Sequence, residues 1–137
     1  MGAEKNAVSP IPMTGFDALY GLELTEVSAE RASGRVAVRD DLLQPAGLVH
    51  GGVYAAIAES VASTATYLSV MEDGKSALGL SNQTSFLRPI TEGHINARAT
   101  RRHAGATTWV WEVEMFDDQQ RLCVITRMTI AIRGPRI

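Results

Sequence analysis

The chain predicts an α+β fold, with one antiparallel sheet and one long helix. Three observations lead there. A single Ala-rich helical run follows the glycine pair Gly51-Gly52 and extends to about Val70. Extended patterns stand on both sides of it, two before and four after. The connections between the later strands are short, which favours antiparallel neighbours over parallel crossovers. At 137 residues, 45% hydrophobic and 20% charged, the chain has the size and composition of one globular domain.

Residues 1–15 carry Gly, Ser and two prolines without periodicity and are expected to form a mobile arm before a single domain over 16–137. A short helical turn is expected at 16–20. Leu22, Leu24 and Val27 then alternate against Glu23 and Thr25, and Val36 and Val38 continue the extended pattern over 32–39. The turn or bulge between them falls at Ala29-Glu30-Arg31 or Ser33-Gly34. Residues 40–49 form a loop holding Gln44-Pro45-Ala46-Gly47, which leads into the glycine pair.

Within the helix, Val53, Ile57, Val61, Thr64 and Leu68 recur at spacings of three and four, predicting a core-facing stripe. Gly52, Ala56, Glu59 and Ser63 share the other side. Small residues there let another backbone or a ligand approach closely. After the polar turn Met71-Glu72-Asp73-Gly74-Lys75, strands are expected over 77–88, 94–103, 107–116 and 121–132. Pro89 with Gly93, Gly105, and Asp117-Asp118 mark the turns. Trp109, Trp111, Val113 and Met115 alternate with Val110, Glu112 and Glu114, a period of two. One helix covers only one face of six strands. The two tryptophans and the small-residue helix face are therefore expected to be buried against another subunit.

Composition excludes several classes. A net charge of -2 gives no support to bulk nucleic-acid binding. The lone Cys123 forbids an internal disulfide and any CxxC metal site, and suits a reducing cytoplasm. No basic start followed by an apolar stretch marks a secretion signal. The longest apolar run is broken by Glu59 and several Ser and Thr residues, too often to span a membrane. No GxGxxG, Walker-type or HExxH pattern occurs, so neither a nucleotide fold nor a zinc site is expected.

The chemistry concentrates around Glu59, the only acidic residue of the helical run and expected to be buried among alanines. A carboxylate so placed needs a partner or a task. It can attack a carbonyl or activate water; the plainer alternative is a structural or solvent-facing glutamate. Gly51 and Gly52, about two turns upstream, present backbone N–H groups that lack partners inside the helix and favour a polarised oxygen. Ser63 can hold the carboxylate or a water, or bond back to its own helix carbonyl. His50 is placed to act as acid or base, but before a helix its favoured role is ordering the turn. Gln44 is a neutral donor in the preceding loop. Arg88, Arg101, Arg102, His103, Arg133 and Arg136 fall at strand ends, where phosphates are gripped, or are ordinary solvated side chains.

Together, Gln44, Gly47-Leu48-Val49-His50-Gly51-Gly52 and Ala58-Glu59 resemble the signature of the hotdog-fold acyl-CoA thioesterases, in the PaaI-like branch with Glu on the central helix. The stretches from Ser81 to Pro89 and from His103 to Trp109 resemble the 4-hydroxybenzoyl-CoA thioesterases of that branch. The likeness covers about 16–133. It implies a sheet wrapped around the long helix, dimers formed by sheet extension and commonly doubled to tetramers, and an active site shared between subunits. It further implies that Gly51 donates its N–H to the thioester carbonyl, with Gln44 on the same side. Glu59 from the partner subunit would be nucleophile or general base, and Ser63, where the family carries threonine, would position it. Arg88, Thr107 and Arg136 would contact coenzyme A, with Ala106 replacing a serine; Gly52 at the helix start and Arg101 and His103 at a strand end are the further candidates for binding the substrate. No metal or cofactor is implied, because coenzyme A belongs to the substrate. The alternatives are a hydroxynaphthoyl-CoA or broad-range acyl-CoA hydrolase, and a non-catalytic acyl-CoA-binding module.

Overall fold

The structure, a computed structural model, describes residues 7–11 and 13–135. Seven strands form one antiparallel sheet: β1 (Ala7–Ile11), β2 (Glu23–Val27), β3 (Arg31–Ala37), β4 (Ser76–Phe86), β5 (His94–Ala104), β6 (Thr108–Phe116) and β7 (Leu122–Arg133). Their order across the sheet is β1-β2-β3-β5-β6-β7-β4. A short helix α1 (Gly15–Tyr20) precedes β2, and the long α2 (Gly51–Val70) lies across the sheet, touching β3 through β7.

The six expected strands and both helices are present. The strand Ala7–Ile11 pairs with β2 inside the segment expected to be a mobile arm. Pro10 and the lack of alternation hid it, and prolines in sheets belong on edges such as this one. Residues 1–6 and 12 of that arm, and Arg136, lie outside the described residues.

Why α2 forms here follows from its residues. Alanines dominate its middle, and alanine loses least on entering a helix. Its last turn runs into a 3-10 turn, Met71–Asp73, and Gly74 at φ 71 reverses the chain into β4. The stripe facing the sheet is Tyr54, Ile57, Ala58, Val61, Ala62, Ala65 and Thr66, all buried. The sequence stripe shares Ile57 and Val61 with it, but Val53 and Thr64 sit at its margin and Leu68 is exposed. Alanines at 58, 62 and 65 complete the buried stripe beside Ile57 and Val61.

Trp111 corrects a second expectation. Its side chain is fully buried in this protomer's own core, beside Val113, Met115, Ile130 and Ile57. Its indole Nε1–H donates to Thr66 Oγ1 at 2.8 Å. Trp109 packs at the edge of the same cluster. Alternation alone fixes that the two tryptophans share a face with Val113 and Met115, and that face is the inner one.

The two sheet edges differ. β1 is short and contains a proline. β4 runs eleven residues, Ser-Ala-Leu-Gly-Leu-Ser-Asn-Gln-Thr-Ser-Phe, with no charge and no proline. One side of β4 pairs with β7; the other has no neighbour among the described residues. Leu78, Leu80, Phe86 and the following Leu87 are all more than half exposed along it. Among the described residues, no helix is long and apolar enough to cross a membrane.

Candidate active site

The start of α2 is built by His50. Its Nδ1 accepts the Gly52 N–H at 2.9 Å, and its backbone carbonyl accepts from Val53 at 3.0 Å. The histidine is therefore a helix cap, the ordering role favoured from the sequence, and it uses the Gly52 N–H. The Gly51 N–H stays without a partner among the described residues. Gly51 lies beneath Phe86, where a Cβ would come within 3.0 Å of the ring. Only glycine leaves the ring in place and the N–H uncovered.

That N–H borders a groove lined by Gln44, Leu48, Tyr54, Phe86 and Arg88. Gln44 Oε1 accepts from the Ala46 N–H, which leaves its amide N–H groups to serve the groove. Tyr54 stands below, its hydroxyl buried without a hydrogen-bond partner among the described residues, and burial pushes its pKa up.

Glu59 differs from the sequence expectation of a buried carboxylate: in the protomer it is exposed. The flanking Ala55 and Ala56 are small, and they leave open space instead of enclosing it. The resulting groove, about 410 Å³, is lined by Phe16, Ala55, Ala56, Glu59, Ser60 and Asn82. This lies in the size range of small-molecule pockets. The carboxylate rests against β4, where a Cβ on Gly79 would lie 3.7 Å from Oε2. The β4–β7 register shifts between Gly79 and Ser81, so a bulge sits beside the carboxylate.

Ser63, half-buried one turn on, makes no hydrogen bond among the described residues; it is Ser60 whose Oγ donates, to Asp17 Oδ1 at 2.6 Å. Tyr20 O–H donates to the same oxygen at 2.9 Å. Burial raises the Tyr20 pKa far above its ordinary value, against the lowering effect of the Ser60 bond, so it stays a donor. The Ser60 bond ties α1 to α2, while the Tyr20 bond, internal to α1, fixes the Asp17 carboxylate; Phe16 of α1 lines the Glu59 groove. Phe16, Asp17 and Asn82 were not singled out from the sequence. Asn82 had a visible signal: with Thr84 it places polar residues at period two on the inner face of a strand.

Gly51 and Glu59 do not meet within one protomer. Eight helical residues put their positions about 12 Å apart along the axis, and they open on separate grooves. The basic residues divide as well. Arg88 follows β4 at the end where its N–H reaches the Cys123 carbonyl. Thr107, Arg101 and His103 stand at the opposite end, where Thr107 O accepts from Ile132. Measured along β7 at 3.3 Å per residue, Thr107 lies about 30 Å from the Arg88 end, and Arg101 and His103, which pair across β6 to Met128 and Thr129, about 17 to 20 Å from it. Arg101 lies over the Trp109 ring at 4.7 Å. No cluster of His, Cys, Asp or Glu among the described residues has the geometry of a metal site.

This geometry has close relatives. Residues 46–124 match the model of the thioesterase superfamily. The chain is 32% identical over 127 residues to the 1,4-dihydroxy-2-naphthoyl-CoA hydrolase of Escherichia coli, covering 93% of this chain and 90% of that one. It is 32% identical over 114 residues to the proofreading thioesterase EntH of Cronobacter turicensis, covering 83% and 82%. A crystal structure of a Haemophilus influenzae thioesterase superposes with a TM-score of 0.80 at 30% identity, covering 86% of this chain and 82% of that one. The chain therefore belongs to the thioesterase superfamily, as a hotdog-fold hydrolase of the thioester-cleaving type.

Proposed function

We propose that the chain hydrolyses an aromatic acyl-CoA thioester, such as 4-hydroxybenzoyl-CoA, in a site assembled from two copies. The Gly51 N–H of one copy polarises the thioester carbonyl, with Gln44 beside it. Glu59 of the other copy supplies the attacking carboxylate or the general base, with Ser63 nearby. The observation that carries this reading is the separation of Gly51 and Glu59 along one helix. A carbonyl has room for both groups only if they come from different helices. The uncharged β4 edge, with its row of exposed leucines, supports sheet extension by a second copy. Polarisation by a fixed N–H acts where charge develops, which is the most productive place in acyl transfer.

Arg88 of one copy and Thr107, Arg101, His103 and Arg136 of another would then grip the coenzyme, with the dimer doubled to a tetramer. No metal or cofactor enters this chemistry, and an acyl-CoA substrate with one unpaired cysteine fits a cytoplasmic enzyme. The Glu-bearing motif and its likeness to the 4-hydroxybenzoyl-CoA branch favour the aromatic acyl group. A second reading, a hydroxynaphthoyl-CoA hydrolase, is favoured by the named activity of the Escherichia coli relative.

Thiol release from 4-hydroxybenzoyl-, phenylacetyl-, hydroxynaphthoyl- and hexanoyl-CoA tests the reading. Preference for the first supports the proposal, and preference for the third selects the second reading. Equal turnover of hexanoyl-CoA removes the aromatic claim. A monomer by light scattering that remains fully active would overturn the shared site.

A further inference from the structure

Asn82 shares the Glu59 groove, and its amide is held in one orientation by a chain of hydrogen bonds. Thr84 Oγ1 donates to Asn82 Oδ1 at 2.7 Å. A hydroxyl has one proton, so the 2.9 Å contact between Thr84 Oγ1 and Thr126 Oγ1 has the fully buried Thr126 as donor. At the other end, Asn82 Nδ2 donates to the Ala55 carbonyl at 2.9 Å. Ala55 is four residues before Glu59, so helix geometry has the same carbonyl accept the Glu59 backbone N–H. The chain therefore ends on the turn that carries the carboxylate.

One valence of this chain is open. A primary amide has two N–H groups, and the second on Asn82 has no acceptor among the described residues. The Ala55 carbonyl needs no second donor to be satisfied, so stability alone does not call for this three-residue relay from the core. What it secures is an N–H at a fixed angle on the wall of the groove that holds Glu59.

We propose that Asn82 is a catalytic residue of this site: its free N–H holds the water that Glu59 deprotonates, making Glu59 a general base. This rests on the assignment of Glu59 above. The water accepts one hydrogen bond from Asn82 and donates one to Glu59, leaving a lone pair aimed out of the groove. That oxygen bonds to the thioester carbon as its proton passes to the Glu59 carboxylate. The tetrahedral intermediate then expels the thiolate, which takes the proton back from Glu59, giving the free acid and the thiol. Thr84 and Thr126 are positioning residues, acting through the amide.

The test compares Asn82→Ala, Thr84→Val, Thr84→Ser and Glu59→Ala with wild type, on whichever thioester of the panel wild type turns over fastest. kcat, KM and the melting temperature are read for each. Asn82→Ala is expected to lower kcat about thirtyfold or more with KM little changed, within the span of general-base effects. Thr84→Val, which keeps the amide but frees it to rotate, is expected to lower kcat by a smaller factor, and Thr84→Ser to restore it. Should Asn82→Ala fail to fold, the valine and serine pair at Thr84 decides alone. A kcat within threefold of wild type in Asn82→Ala, or equal loss in Thr84→Val and Thr84→Ser, overturns the role of Asn82. If Glu59→Ala is as active as wild type, the Glu59 assignment falls and takes this one with it, an outcome distinct from the first.

Discussion

Two polar residues seven positions apart on α2, Glu59 and Thr66, show how one helix divides its labour. Thr66 is fully buried, donates to the Ala62 carbonyl at 2.8 Å and accepts from Trp111 at 2.8 Å. Each of its hydrogen-bonding directions ends inside the protein. Glu59 is exposed, makes no hydrogen bond among the described residues and faces a groove. A polar group whose bonds all close is structure; one left open beside a groove is available for chemistry. On this helix the accounting of hydrogen bonds, more than burial, separates the two groups.

Substitutions at five positions break or sharpen that contrast. Glu59→Ala should lower thioester turnover about a hundredfold or more, while leaving stability within about 0.5 kcal/mol, as for an exposed unpartnered side chain. Thiol release and thermal unfolding on one preparation check both halves. Trp111→Ala should do the reverse. It opens a large cavity and costs about 3–5 kcal/mol, visible in chemical denaturation, with kcat retained by the fraction that stays folded. The milder Thr66→Val isolates the hydrogen bond; stranding the buried indole N–H should cost about 1–3 kcal/mol.

Gly51→Ala tests the bare N–H. The new Cβ meets the half-exposed Phe86 ring, which can swing aside. Stability should hardly move, and kcat/KM should fall about tenfold or more if this N–H binds the thioester carbonyl as proposed, because the added methyl and displaced ring crowd it. The smallest effect belongs to His50→Ala, which removes the cap at a cost of about 1 kcal/mol. His50→Asn should recover most of it, with turnover following stability and not the histidine's ring. If His50→Asn is folded yet inactive, the histidine does more than cap.

Much of this was legible in the residues. The glycine pair located the start of α2, and alternation from Trp109 to Met115 gave the strand and its faces. Gly51 as an uncovered donor followed from helix ends in general. What was hidden depended on tertiary contacts. Glu59 reads as buried among alanines, whereas in the folded chain it is exposed beside a groove, the close approach for a ligand that its small neighbours suggest. Leu68 has the right spacing for the core stripe but is exposed near the C-terminal end of α2. The tryptophans carried no sign of which side of their strand the helix would cover. Asp17 meets Ser60 from 43 positions away, a pairing for which local spacing offers no cue. The convergence of Asn82 and Glu59 is of the same kind.

The bare flank of β4 has a thermodynamic consequence. Its row of unpaired backbone groups, flanked by leucines and undefended by charge or proline, is a template for any strand that arrives. A partner that binds only the folded chain shifts unfolding by mass action. With a second copy in that place, the melting temperature becomes a function of protein concentration, and dilution becomes a denaturing variable. A lysine at Leu80, designed to keep copies apart, then weakens the fold and its assembly in one stroke.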